Sequence, residues 1–208
     1  NAVKFYQQML SETPGAENAI YAAECEDLAQ KIQKSFKDTF LNEHGYLLDY
    51  VDGHMQDWSV RPNQIFAIAL DFSPLDIKER KRVLDICTRE LVTPKGIRSL
   101  SPKSGGYNPL YIGQQTQRDF AYHNGTAWPW LTGFYLEAYL RIYKMSGVHY
   151  IERQLIGFEE ELFYHCIGTI PELFDGNPRF SGRGAISFAM NVSGLLRAIH
   201  ILDKYTKE

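Results

Sequence analysis

Between Thr93 and His123 the sequence runs for about thirty residues without a helical period, and this stretch constrains the fold most. Loops of that length in a compact protein are functional or disordered. Tyr107, Tyr111, Phe120 and Tyr122 punctuate it, and disordered segments are poor in such rings. An ordered loop of this length needs a rigid frame, and the flanking sequence supplies helices. One is under way at Ala2 to Leu10. Over Glu17 to Phe40, Ile20, Ala23, Leu28, Ile32 and Phe36 recur at helical steps with polar residues between. His44-Gly45 stops that helix, and Tyr46 to Val51 suits a short strand. Pro62 sits where a helix-initiating proline belongs, so Asn63 to Asp71 follows as a second, nearly apolar helix. Ile77 to Leu91 is a charged amphipathic helix, and Trp130 to Met145, Tyr150 to Cys166 and Ile186 to Tyr205 are three more. A second decorated connection spans Gly168 to Gly184.

The pattern is six or seven helices with almost no strand signal, so the fold class is all-α and residues 1–208 read as a single helical domain. No fixed-period repeat of the kind that builds a solenoid is present. Plain helix bundles use connections of about 2–8 residues, and these are longer and richer in chemistry. A helical toroid, whose loops gather at one end of the ring to build a cleft, accommodates them.

Composition removes several functional classes. Charged residues make up 23% and the formal net charge is −3, so no basic excess exists to neutralise a phosphate backbone, and no nucleic-acid partner is expected. No apolar run reaches the ~18 residues of a membrane span, and no membrane partner is expected. Cys25, Cys87 and Cys166 lack metal-ligand spacing and read as small buried hydrophobes in helices, so a cytoplasmic protein is expected. Asn124-Gly125-Thr126 and Asn191-Val192-Ser193 match the glycosylation acceptor pattern, which reads here as incidental. The sequence begins at Asn1 without an initiator Met, which is expected of a piece of a longer chain.

Three segments concentrate the chemistry. Arg61-Pro62-Asn63-Gln64 puts a guanidinium and two amides at a helix start. Tyr122-His123-Asn124-Gly125-Thr126-Ala127-Trp128-Pro129-Trp130 packs aromatic rings, an imidazole and an amide together. Pro171-Glu172-Leu173-Phe174-Asp175-Gly176 offers two carboxylates on a turn. A sugar presents an apolar ring face and a rim of hydroxyls, which aromatic rings beside carboxylates, amides and arginine satisfy. Each segment also has a plainer reading, as helix-dipole pairing, interior packing or surface turn. No HExxH, clustered Cys/His, phosphate-binding glycine loop or serine elbow appears, so neither metal nor cofactor is expected.

These runs, together with Leu91-Val92-Thr93-Pro94-Lys95-Gly96-Ile97-Arg98-Ser99-Leu100, occur in the order and at the spacing of a known family. From about residue 40 to the end, the chain resembles the C-terminal glucosidase domain of glycogen debranching enzymes. The resemblance implies an (α/α)6 toroid of which this chain is the C-terminal half. It implies hydrolysis, with inversion, of alpha-1,6-linked glucose at the branch points of an α-glucan. Glu172 matches the family's general base. Arg61, Asn63, Gln64, Asp119, Tyr122, His123, Trp128, Trp130, Asp175 and Arg183 would bind or orient sugar. The family's general acid looks like an Asp in a Gly-Arg-Asp segment, which this chain lacks, so the acid is expected upstream; Asp119 is the nearest substitute within the chain. The partners implied are the glucan, the upstream half of the toroid and, for the fragment alone, a second copy. The isolated fragment is expected to be inactive.

The sequence departs from the family where Gly184-Ala185-Ile186-Ser187-Phe188-Ala189-Met190-Asn191-Val192 stands in place of a run carrying Gln and Trp. A non-catalytic α-glucan-binding or helical interaction module, and an epimerase working through histidine on the same toroid, therefore remain open at this stage.

Overall fold

The computed structural model describes residues 1–13 and 15–207. Its helices are α1 (Ala2–Glu12), α2 (Ala16–Phe40), α3 (Gln64–Ala69), α4 (Ile77–Leu91), α5 (Gln115–Ala121), α6 (Trp130–Tyr143), α7 (Val148–Ile156) and α8 (Ala189–Lys207). The expected helices are all present, with shifted ends. α4 matches its expected bounds because its start is chemically explicit. The Asp76 carboxylate accepts from the Lys78 and Glu79 N–H groups at 2.8 and 2.9 Å, and Glu79 accepts from the Asp76 N–H at 2.8 Å. This reciprocal pair satisfies donors that the first turn leaves free.

α3, α6 and α8 pack side by side, and α4 and α7 lie against them. Ile65, Ile68, Val83, Leu84, Leu91, Leu131, Tyr135, Leu136 and Ile151 form the shared core. α6 and α8 approach most closely where Gly133 meets Gly194. A Cβ on Gly133 would stand 2.4 Å from the Gly194 oxygen, and one on Gly194 would stand 2.5 Å from the Trp130 Cα. Glu137, buried on α6, receives Arg141 from its own helix and Arg197 from α8. The α1/α2 hairpin is different, since α2 has no fully buried residue. Phe5, Tyr6, Met9, Ile20, Tyr21 and Leu28 stay exposed on it. Among the described residues no helix is long and apolar enough to cross a membrane.

Three expectations are corrected. The long connections hold short strands: β1 (Val51–Asp52) pairs with β2 (Met55–Gln56), and β3 (Val92–Thr93), β4 (Gly96–Arg98), β5 (Ala127–Trp128), β6 (Leu173–Phe174) and β7 (Gly182–Arg183) form an antiparallel sheet in chain order. Strands of two or three residues are too short to show an alternating period. The thirty-residue loop thus contains β4 and α5, and the strand expected at Tyr46 to Val51 reduces to a Leu41–Leu47 bridge with β1 following. The helix expected to reach Cys166 ends at Ile156, because Gly157 abuts the β3–β4 turn. A Cβ there would lie 2.6 Å from the Pro94 oxygen, and Lys95 Nζ donates to the Gly157 oxygen at 2.6 Å. Cys166 is consequently exposed beyond a short 3-10 turn, whereas Cys87 is buried and Cys25 half-buried.

The α6–α8 contact generates a stability test. Gly194→Ala should destabilise the protein by about 1–3 kcal/mol, the usual cost of overpacking, because the clash is with backbone. Calorimetric melting of the full-length protein checks this, and an unchanged midpoint would contradict the close approach.

Candidate active site

The small sheet collects the loops at one end of the helices. β5 pairs with β6 through Ala127 and Phe174, and β6 pairs with β7 through Leu173–Arg183 and Phe174–Gly182. The Trp128/Trp130 segment and the Glu172 turn therefore lie side by side, as one cleft requires. Arg98 fastens the turn from β4, donating from Nε to the Gly176 oxygen at 2.8 Å.

Glu172 is half-buried just before β6. The Tyr122 hydroxyl donates to its Oε1, and the Ala185 N–H donates to its Oε2 at 2.9 Å. The Glu172 N–H donates to the Ala185 oxygen at 2.9 Å, fixing the backbone as well. Gly184 completes the seat: at φ +72°, a Cβ there would stand 2.3 Å from Oε2. Burial, the bond to Glu172 and the neighbouring Tyr111 push the Tyr122 phenol well above its ordinary pKa. Tyr122 thus remains a donor across the neutral range.

Asp175 and Arg183 lie behind Glu172. Asp175 is only 3% exposed; its Oδ2 accepts Arg183 Nε at 3.0 Å and Nη2 at 2.8 Å, and its Oδ1 accepts the Tyr111 N–H at 2.9 Å. With both oxygens engaged, Asp175 orients the turn and has little left for a ligand. Asn191, which sequence reading took only as an incidental glycosylation match, is 0% exposed. Its amide donates to the Pro171 and Glu172 oxygens at 2.6 Å each and accepts the Trp130 N–H at 3.0 Å. It bolts the turn to the start of α6. An asparagine buried in this way has no room for a glycan. Gly184, Ala185 and the backbone of Tyr111 also escaped sequence reading, because their contributions are a missing side chain and main-chain donors.

Tyr122, which meets the carboxylate, is part of an aromatic wall. Tyr122 lies 5.7 Å from Tyr111 and edge-on to Trp128 at 4.9 Å, and His123 stacks on Trp128 at 5.4 Å. Burial, and then the charge of Arg61, lower the His123 pKa below its usual value. Trp128 is corrected from sugar platform to wall. It is 6% exposed, its indole N–H is shared between Thr126 Oγ1 at 3.1 Å and the Tyr122 oxygen at 3.3 Å, and its face is covered by His123. Trp130 is half-buried and stacks on Phe66 at 6.0 Å.

The Arg61 segment is also corrected. Arg61 donates to the Ser99 and His123 oxygens at 3.2 and 2.7 Å and to Asn124 Oδ1 at 3.0 Å, with Asp49 3.7 Å from its Nε. It ties three loops together, spending both Nη1 donors and one of Nη2 on the scaffold. Gln64 is 5% exposed and bonds the Leu47 N–H and the Arg61 oxygen. Asn63 is exposed but donates to Asp49 at 2.8 Å. Asn63 and Gln64 line a different cavity of about 800 Å³ between α1, α2 and α3, which none of the Glu172 group reaches. Asp119 is exposed on α5, one turn before Tyr122. Phe188 is half-buried, and Met190 is exposed at the start of α8.

A helical frame whose loops converge on a seated carboxylate beside an aromatic wall has the form of a toroid-type glycoside hydrolase. The chain belongs to the amylo-alpha-1,6-glucosidase family, whose family model matches residues 1–197. It is 36% identical over 92 residues to the glycogen debranching enzyme of Saccharomyces cerevisiae, a match covering 40% of this chain and 6% of that one. Among solved structures it is similar to the neutral trehalase Nth1 of Saccharomyces cerevisiae, with a TM-score of 0.59 at 16% identity. That likeness covers 88% of this chain and 33% of the trehalase, and it shows the (α/α)6 toroid fold. The chain thus spans only a small part of these relatives.

The seat generates a prediction that separates position from fold. Gly184→Ala should lower turnover of the full-length protein by about a hundredfold, the scale of a ~1 Å misplacement, with KM nearly unchanged. Steady-state kinetics check it, and wild-type turnover would mean that the position of Glu172 carries no function.

Proposed function

We propose that Glu172 is the general base of an inverting glucosidase that removes alpha-1,6-linked glucose from the branch points of an α-glucan. The observation that carries this reading is the seat of Glu172. A carboxylate receiving Tyr122 on one oxygen and Ala185 on the other is fixed in position, and each oxygen keeps a further lone pair for water. In the reaction a water oxygen bonds to the anomeric carbon as the glycosidic bond breaks on the opposite face. Glu172 takes the water's proton, and a second carboxyl gives its proton to the leaving oxygen. Inversion sets the two carboxyls about 6.5–9.5 Å apart, leaving room for the water.

The second carboxyl is expected outside these 208 residues, in the upstream half of the toroid, so the isolated chain would not hydrolyse glucan. The aromatic wall of Tyr111, Tyr122 and His123 would meet the sugar ring. The exposed apolar faces of the α1/α2 hairpin would meet the upstream half or, in the isolated chain, a second copy. Family membership and the aromatic-rich cleft support an α-glucan substrate. Domain bounds of 1–208 and a cytoplasmic location remain part of this proposal.

Glu172→Gln tests the reading in the full-length protein. Turnover on a branched glucan should fall at least about a hundredfold, the scale of general acid–base catalysis, while glucan affinity changes little. Near wild-type turnover would remove Glu172 from the mechanism. Glucan binding without turnover in the unmutated protein would mark a binding module instead.

A further inference from the structure

Strand pairing in β6 begins at Leu173, one residue after Glu172. The turn before it is held by the start of α8. The Ile170 oxygen accepts the Phe188 N–H at 3.1 Å, and the Pro171 and Glu172 oxygens accept the two N–H groups of the Asn191 amide at 2.6 Å each. The other end of that amide is also engaged. α6 starts at Trp130 behind Pro129, which caps it with no side-chain hydrogen bond, so the Trp130 N–H is one of the donors that a helix start leaves free. Asn191 Oδ1 accepts it at 3.0 Å, reaching across from α8. One amide therefore joins α6, α8 and the carboxylate turn, and at 0% exposure it is closed to solvent. Gly194 permits the reach. It lies three residues on from Asn191, on the same side of α8, and a Cβ on it would stand 2.5 Å from the Trp130 Cα. Glycine there lets α8 come close enough to α6 for the Asn191 amide to meet Trp130.

We infer that Asn191 is a positioning residue for Glu172. It sets the main chain of the base against the start of α6, the same junction that carries the aromatic wall through Trp128. The inference rests on the proposed role of Glu172 as general base. Tyr122 and Ala185 fix the two carboxylate oxygens, but a glutamate side chain turns about several bonds, so its reach toward a water also depends on where its own backbone sits. Asn191 supplies that reference. The task needs two donors on one atom and an acceptor on the other, within a short side chain. Aspartate lacks the donors, serine has only one, and glutamine is a methylene too long. A group with this role acts on turnover and leaves binding alone, because it places the proton acceptor and touches no sugar.

Asn191→Ala in the full-length protein, alone and combined with Glu172→Gln, tests this with α-glucosyl fluoride as substrate. Alone, it should lower kcat about a hundredfold, the scale of a ~1 Å misplacement, with KM nearly unchanged. Combined with Glu172→Gln it should cost little more, since the group it positions is already disabled. Equal fold losses in both backgrounds would overturn the inference, by making Asn191 a general support of the fold. An unchanged kcat in the single variant, or a loss confined to KM, would overturn it as well. Asn191→Ser keeps one donor in a smaller side chain and covers the case in which the alanine variant does not fold. It should show the same non-additive pattern with a smaller loss, and wild-type kcat there would also overturn the inference. Failure of the proposed function looks different. Near wild-type turnover in Glu172→Gln alone removes that reading and this one together, whereas additive losses remove only the role of Asn191 and leave Glu172 as the base.

Discussion

A carboxylate buried in a sheet must be paired, or its desolvation unravels what surrounds it. Asp175 is buried in this way, and the loop end of the molecule depends on how it is satisfied. Arg183 closes on it from β7 with two donors, and the Tyr111 N–H closes on it from the long loop. One residue thereby fixes three segments: the Glu172 turn, the strand leading to Gly184 and Ala185, and the loop that carries the aromatic wall. The Ala185 N–H can meet Glu172 only because β7 is held in register. Tyr122 can meet it from the other side only because Arg61 gathers the Ser99 and His123–Asn124 segments. The seat of Glu172 is the product of these clamps.

The helical frame was legible because its signals are local. The apolar period from Ile20 to Phe36 and the proline at position 62 each act within a few residues. The sheet was not, since strands of two residues are defined by partners outside the local sequence, as Ala127 and Phe174 illustrate by pairing across the linker. The end of α7 was equally invisible. It stops because the β3–β4 turn occupies the space its next turn would need, a contact that no local propensity encodes.

The site was legible in its centre and not in its division of labour. Glu172, Tyr122, Asp175 and Arg183 do meet. Arg61, Gln64 and Trp128 carry the residue types that bind sugars, yet they spend their donors and faces on the scaffold. The same guanidinium serves a hydroxyl or a loop carbonyl equally well, so residue type alone cannot separate the roles. Asn191 makes the converse point. It gives no catalytic signal in sequence, yet it joins the carboxylate turn to α6 through three bonds.

The central claim is that Glu172, held between Tyr122 and Ala185, activates water on the face opposite the leaving group. Chemical rescue of Glu172→Ala in the full-length protein tests residue and geometry together. With α-glucosyl fluoride as substrate and sodium azide added, the small anion enters the space left by the carboxylate and attacks without needing a base. The account predicts little turnover without azide and recovery with it, yielding β-glucosyl azide, identified by the anomeric proton signal in NMR. Wild-type turnover without azide, or α-glucosyl azide as the product, would contradict it.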